Sequence, residues 1–227
     1  MSETAPTSLV KKLDDIFMVS EIFASRKMAA MLVLGASAGL PILLVYTVLS
    51  IWLREAGVSR SAIGFFVLVG FAYSLKFLWA PLVDRVKIPG FSELLGKRRG
   101  WTLFAVLGTA LSMLAMSFQD PIVSLANVAL CAVLIALSSA TLDICVDAWR
   151  VDSASNEEQA AMSAVYQLGY RFGMIAAVSG GLFLADIGGF GLTYGGLALL
   201  ALIEGPRRFG QANLIGSETA MPRRKEL

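Results

Sequence analysis

The sequence predicts an all-α membrane protein, a bundle of six transmembrane helices, and three observations carry that expectation. Of 227 residues, 56% are apolar and only 16% charged, with a mean hydropathy of +0.70, whereas soluble domains run near 25% charged. The apolar residues gather into six runs, at 28–53, 61–83, 101–118, 122–149, 159–185 and 190–203, most of them near the roughly 20 residues that a membrane helix needs. The connectors alternate in charge: 15 of the 19 Lys and Arg residues fall on one side of this arrangement, and only Arg54 and Arg60 on the other. The positive-inside rule then puts both termini in the cytoplasm.

Each element has its own local logic. Residues 1–27 carry Lys11, Lys12, Asp14, Asp15, Glu21, Arg26 and Lys27, leaving no apolar core of signal-peptide length, so they read as a cytoplasmic segment before the first span. Pro41 is expected to kink that span near its middle. Gln119-Asp120-Pro121 separates spans three and four, the proline favouring a helix start. Ser155 with Glu158 three residues on matches a capping box that opens span five. Residues 28–203 thus form the membrane domain, and 204–227, ending in Arg223-Arg224-Lys225, form an atypical, disordered cytoplasmic tail.

Helices in a bilayer associate by close approach, which small residues permit. Gly35 and Gly39 make one GxxxG, and Gly169, Gly173, Ala177 and Gly181 make a ladder at i+4 spacing along span five. Tight helix contact is the simplest reading of both.

An ionised side chain near mid-bilayer costs roughly 2.5–3.5 kcal/mol on insertion scales, so it calls for a partner or a wet cavity. At 1.5 Å rise per residue, Lys76 lies about 10 Å inside span two and Asp143 at a similar depth in span four. The two are expected to pair, either as a latch between helices or as a proton or substrate site. Asp147 shares the helix face of Asp143, and Arg150 is placed to neutralise it as an interfacial structural pair. Arg171 lies about 18 Å into span five with no acidic partner in its own span. A planar guanidinium at that depth suits a carboxylate or phosphate, with Tyr166, Gln167 and Tyr170 supplying hydrogen-bonding groups nearby. The candidate translocation residues are therefore Arg171, Asp143, Lys76, Tyr166, Gln167 and Asp147.

Other chemistries have little material. Histidine is absent and the two cysteines, Cys131 and Cys145, lie in one apolar run, so no resident cofactor, metal centre or disulfide framework is expected. No basic face of the nucleic-acid-binding kind is visible. The competing enzymatic reading rests on Asp143-Ile-Cys-Val-Asp147, the DxxxD spacing with which intramembrane prenyltransferases hold Mg²⁺ to a diphosphate, although only one such cluster is present.

Longer motifs add a resemblance. Ala80-Pro81-Leu82-Val83-Asp84-Arg85, followed by Gly96-Lys97-Arg98-Arg99-Gly100-Trp101, resembles the signature of the major facilitator superfamily, with Ala80 where that signature has glycine and with a longer loop. The stretches GLP at 39–41, WLREAGVSRSAIGFF at 52–66, YSLKFLWAPLVDR at 73–85, KRRGW at 97–101, SSATLDICVDAWRVD at 138–152 and AVYQLGYRFGM at 164–174 look like the muropeptide permease (AmpG) family, to which acetyl-coenzyme A transporters are related. The resemblance implies the six-helix N-terminal half of a transporter whose substrate path runs between two halves and is faced by helices one, two, four and five. It implies proton-driven uptake of sugar-peptide cell-wall fragments across a bacterial cytoplasmic membrane, with the proton as coupling ion. It also implies a gate latch from Asp84, Arg85, Lys97, Arg98 and Arg99. Family members have at least twelve spans, so a chain of six is expected to be a truncated half, inactive alone or working with a second half.

Overall fold

The computed structural model describes residues 25–153 and 158–220, with side chains to Ile203 apart from Leu94 and Ser153. Residues 1–24, the Ser155 capping position and residues 221–227 of the tail lie outside the described residues. Seven helical elements follow one another: α1, Arg26–Glu55; α2, Arg60–Leu78; α3, Ala80–Arg85; α4, Phe91–Leu95; α5, Lys97–Ser117; α6, Leu125–Ser153; and α7, Glu158–Ala220. Among the described residues five helices are long and apolar enough to cross a membrane. The last of them, α7, bends at Gly188 and at Gly189, whose φ of 77° suits glycine. Its arms fold back on each other: the Thr193 hydroxyl donates to the Gly181 carbonyl across the bend at 2.8 Å. Six long helical arms result among the described residues, and the second arm's helical backbone runs on to Ala220.

Several boundaries differ from expectation for local reasons. The chain passes through Pro41 without breaking α1, and the register change falls three residues on, in a π-helical turn over Leu44–Val48. The Leu44 carbonyl at the start of that turn accepts the Leu49 amide and also the buried Tyr194 hydroxyl from the second arm of α7, the latter at 2.9 Å. Tyr194→Phe is expected to cost about 1 kcal/mol, read as a lower free energy of reversible SDS unfolding in mixed micelles. Pro121 does not open α6. It sits in a turn in which the Asp120 carboxylate accepts the Ile122 amide at 2.8 Å, and the helix begins at Leu125. The basic run Lys97-Arg98-Arg99 is the first turn of α5 and not loop. Between α3 and α5 the expected connector forms the short α4, held by the Ile88 amide donating to Ser92 Oγ at 2.8 Å and by Trp101 Nε1 donating to the Val86 carbonyl at 2.8 Å.

The most intimate helix contact joins α1 to the first arm of α7, and the two glycine motifs make it. Cβ atoms built at Gly35 and Gly39 would collide with the carbonyls of Tyr166 and Tyr170, and those built at Gly169 and Gly173 with the carbonyls of Leu32 and Ala36. Each glycine pair thus lies against the other helix's backbone, the close approach that small residues allow. Leu44, Leu49, Met113, Ile135 and Tyr194 form the principal core toward the end away from the basic connectors, while Met28, Met31, Val146, Met162 and Tyr166 pack together nearer the basic end.

Candidate functional site

Four of the charges that the sequence leaves in its apolar runs meet in one place. Lys76 from α2 reaches α6, its Nζ lying 3.3 Å from Asp147 Oδ2 and 3.8 Å from Asp143 Oδ2. Asp143 is buried, 6% exposed, so its charge needs a close cation. Asp147 is more open, its side chain 40% exposed, and it is also held by Arg150 at 3.5 Å. The i+4 spacing puts both carboxylates on one face of α6, and two cations balance two anions there. Lys76 therefore contacts both carboxylates, and the sequence expectation of a single partner is too simple.

This quartet lines a cleft of about 590 Å³ between α2, α6 and the first arm of α7, together with Tyr73, Ser163, Tyr166, Gln167 and Tyr170. Tyr166 and Tyr170 form a tilted aromatic pair with centroids 6.1 Å apart. Their position is fixed from behind, because Gly35 and Gly39 of α1 pack against their backbone. Arg150 also donates from Nη1 to the Ser163 hydroxyl, tying α6 to α7.

Arg171 is placed elsewhere. It is exposed, does not line this cleft, and has no ion-pair partner among the described residues. It shares a helix face with Ala164 and Gln167, which do line the cleft, and so stands one turn beyond the rim. Conversely, sequence reasoning did not single out Tyr73 or Ser163 and gave Arg150 a structural role only. A signal existed for Tyr73, which lies three residues before Lys76 and hence on the same face of α2.

A second cleft of about 560 Å³ opens toward the basic end, lined by Asp84, Lys97, Arg98, Asp152 and others, and shares Lys76 and Asp147 with the first. Of the expected latch residues, Lys97 donates to the main-chain carbonyl of Asp84 and not to its carboxylate. Arg98 pairs with Asp152 and donates to the Ala148 carbonyl at 3.0 Å, joining the start of α5 to the end of α6. Arg85 is exposed, and Arg99 is engaged in a contact of its own. Asp152 is a partner of Arg98 that the sequence did not reveal, since the expected signature covers only the loop between spans two and three.

Among the described residues no group of three or more His, Cys, Asp or Glu is placed to hold a metal ion. The two carboxylates of the DxxxD face ammonium and guanidinium groups.

Comparison with known proteins agrees with this architecture. The family model for the Major Facilitator Superfamily matches residues 13–209. The chain is 35% identical over 187 residues to "Putative transporter AmpG 4" of Rickettsia conorii, covering 82% of this chain and 45% of that protein. It is 44% identical over 167 residues to "Anhydromuropeptide permease" of Escherichia coli strain K12, covering 73% of this chain and 33% of that one. The chain thus spans less than half the length of these relatives. Family and relatives are transporters, which sets aside the prenyltransferase-like reading of Asp143 and Asp147. A helical bundle with a charge-balanced cleft and a basic run at the start of α5, matched over most of its length by one family, has a single placement: the chain belongs to the major facilitator superfamily of membrane transporters.

Proposed function

We propose that this chain supplies one half of a secondary transporter that takes up anionic sugar-peptide solutes of the cell-wall fragment type, coupled to protons, across a bacterial cytoplasmic membrane. The observation that carries the reading is the charge-balanced quartet Lys76, Asp143, Asp147 and Arg150 in a cleft also lined by hydroxyl and amide groups. Intramembrane charges in a polar cavity mark solute or ion pathways more often than they serve stability. A relative printed as an anhydromuropeptide permease, 44% identical over the aligned stretch, supports the solute class. Both termini lie in the cytoplasm, on the side where the basic residues gather. Lys97, Arg98, Asp84 and Asp152, with Arg85 and Arg99 flanking them, form the cytoplasmic latch.

Arg171 fits the same reading from outside the cleft. An arginine facing acyl chains costs roughly 2.5–3.5 kcal/mol, so its face of α7 borders a polar path or other protein and not lipid. A second six-helix half is the partner that would cover it, in keeping with relatives more than twice as long as the aligned region.

Uptake into proteoliposomes tests the proposal, with the chain alone and with the chain co-reconstituted with the remaining half of the Escherichia coli relative. A radiolabelled anhydro-sugar peptide is expected to accumulate when the outside is acidified. In Asp143→Asn the acid-driven component is expected to fall at least tenfold. Uptake indifferent to the pH gradient removes the proton coupling, and no uptake in either arrangement removes the transport role of this chain.

A further inference from the structure

The buried polar atoms of the cleft without a hydrogen-bond partner among the described residues include two donors, the Tyr73 hydroxyl and Arg150 Nε. Buried donors are nearly always satisfied, and one left unmade is a cost that a partner can recover. Tyr73 lies near Ser139 and Asp143, neither of which meets its hydroxyl with hydrogen-bond geometry. Arg150 spends Nη1 on Ser163 and Nη2 on Asp147 at 3.5 Å, a long contact, while Nε, the inner member of the side-on fork, is unused. Both residues line the same cleft, so the two covered atoms lie in the wall of one cavity.

Their separation has a chemical meaning. Tyr73 stands beside Asp143, and Arg150 lies seven residues further along α6, its guanidinium reaching back to Asp147. Between them run the Lys76 bridge on one wall and the Tyr166–Tyr170 rings on the other. The unused guanidinium edge suits a carboxylate, the hydroxyl suits a neutral oxygen, and the rings suit the apolar face of a sugar. We propose that Arg150 and Tyr73 are the specificity-determining contacts of the cleft, Arg150 gripping a carboxylate of the solute and Tyr73 a hydroxyl, ether or amide oxygen elsewhere on it. This rests on the reading of the cleft as the solute site, and it makes Arg150 a ligand-contact residue and not merely the counter-charge of Asp147. Both atoms are covered in the present arrangement, so occupation requires the two side chains to turn toward the solute. Asp147 keeps Lys76 as its cation when Arg150 does so.

Equilibrium binding to the purified chain tests it, by calorimetry with N-acetylmuramic acid, which carries one carboxylate, and with its uncharged methyl ester. The folded chain is expected to bind the acid at least tenfold tighter than the ester. In Arg150→Gln that preference is expected to shrink to within twofold. In Tyr73→Phe both ligands are expected to weaken by the same factor, three- to tenfold, with the preference kept. Helicity and monodispersity show whether each variant folds. Should Arg150→Gln fail to fold, Arg150→Lys keeps a cation for Asp147 but lacks the fork, and is expected to lose at least threefold of the preference. If waters satisfy these donors instead, the variants bind as the unsubstituted chain does and the proposal falls while the solute cleft stands. If the unsubstituted chain binds neither ligand, the cleft is not the solute site and both readings fall.

Discussion

Lys76→Met is expected to destabilise the bundle by about 3 kcal/mol and to stop solute accumulation. Lys76 is the shared cation of Asp143 and Asp147, at 3.8 and 3.3 Å. Methionine matches its length and leaves two carboxylates one helical turn apart with only Arg150 to offset them. Removing one partner of a buried ion pair costs roughly 3–5 kcal/mol. The lower end applies here because the Lys76 side chain is 33% exposed and solvent screens part of the interaction. The double variant Lys76→Met/Asp143→Asn removes the uncompensated charge and is expected to recover most of the lost stability while transport stays absent. Reversible SDS unfolding in mixed micelles reads the first quantity and proteoliposome uptake the second. If the single variant unfolds like the unsubstituted chain, Lys76 holds nothing together. If the double variant transports, the pair is a structural latch.

The two quantities differ in how far the sequence could anticipate them. Depth along a span was legible, because helical rise is fixed at 1.5 Å per residue: it set Lys76 and Asp143 level with one another, and the structure has them in contact. Rotation about the helix axis was not, because it depends on which neighbours pack where. Arg171 shows the difference: counting places it deep in its span, yet it is exposed and lies outside the cleft, one turn beyond Gln167 at the rim. Arg150 shows the converse. Its pairing with Asp147 was readable from i+3 spacing, whereas its bond to Ser163 and its unused Nε depend on where α7 lies. Local backbone detail escaped for a related reason. Tertiary contact decides whether a proline kinks a helix, and here the register change moved to Leu44–Val48, where the Tyr194 hydroxyl donates to the Leu44 carbonyl.

The small-residue motifs were the most legible feature of all, and they lead to the other large effect. Gly39→Val is expected to separate α1 from the first arm of α7, with a loss exceeding the roughly 1–3 kcal/mol of ordinary overpacking. Ordinary overpacking is relieved by moving side chains. Here a new Cβ meets the carbonyl and Cα of Tyr170, and backbone inside a helix cannot step aside alone. Gly173→Val acts from the opposite helix, against the Ala36 carbonyl. The consequence reaches the cleft, since Tyr170 and Tyr166 are held in its wall by these contacts. Both variants are therefore expected to lose solute binding along with stability, whereas Gly64→Ala, with nothing within 4 Å of the added Cβ, is expected to change neither by more than about 1 kcal/mol. A Gly39→Val chain with unaltered SDS unfolding would mean that the two helices can part without cost, and the cleft wall would then need another support.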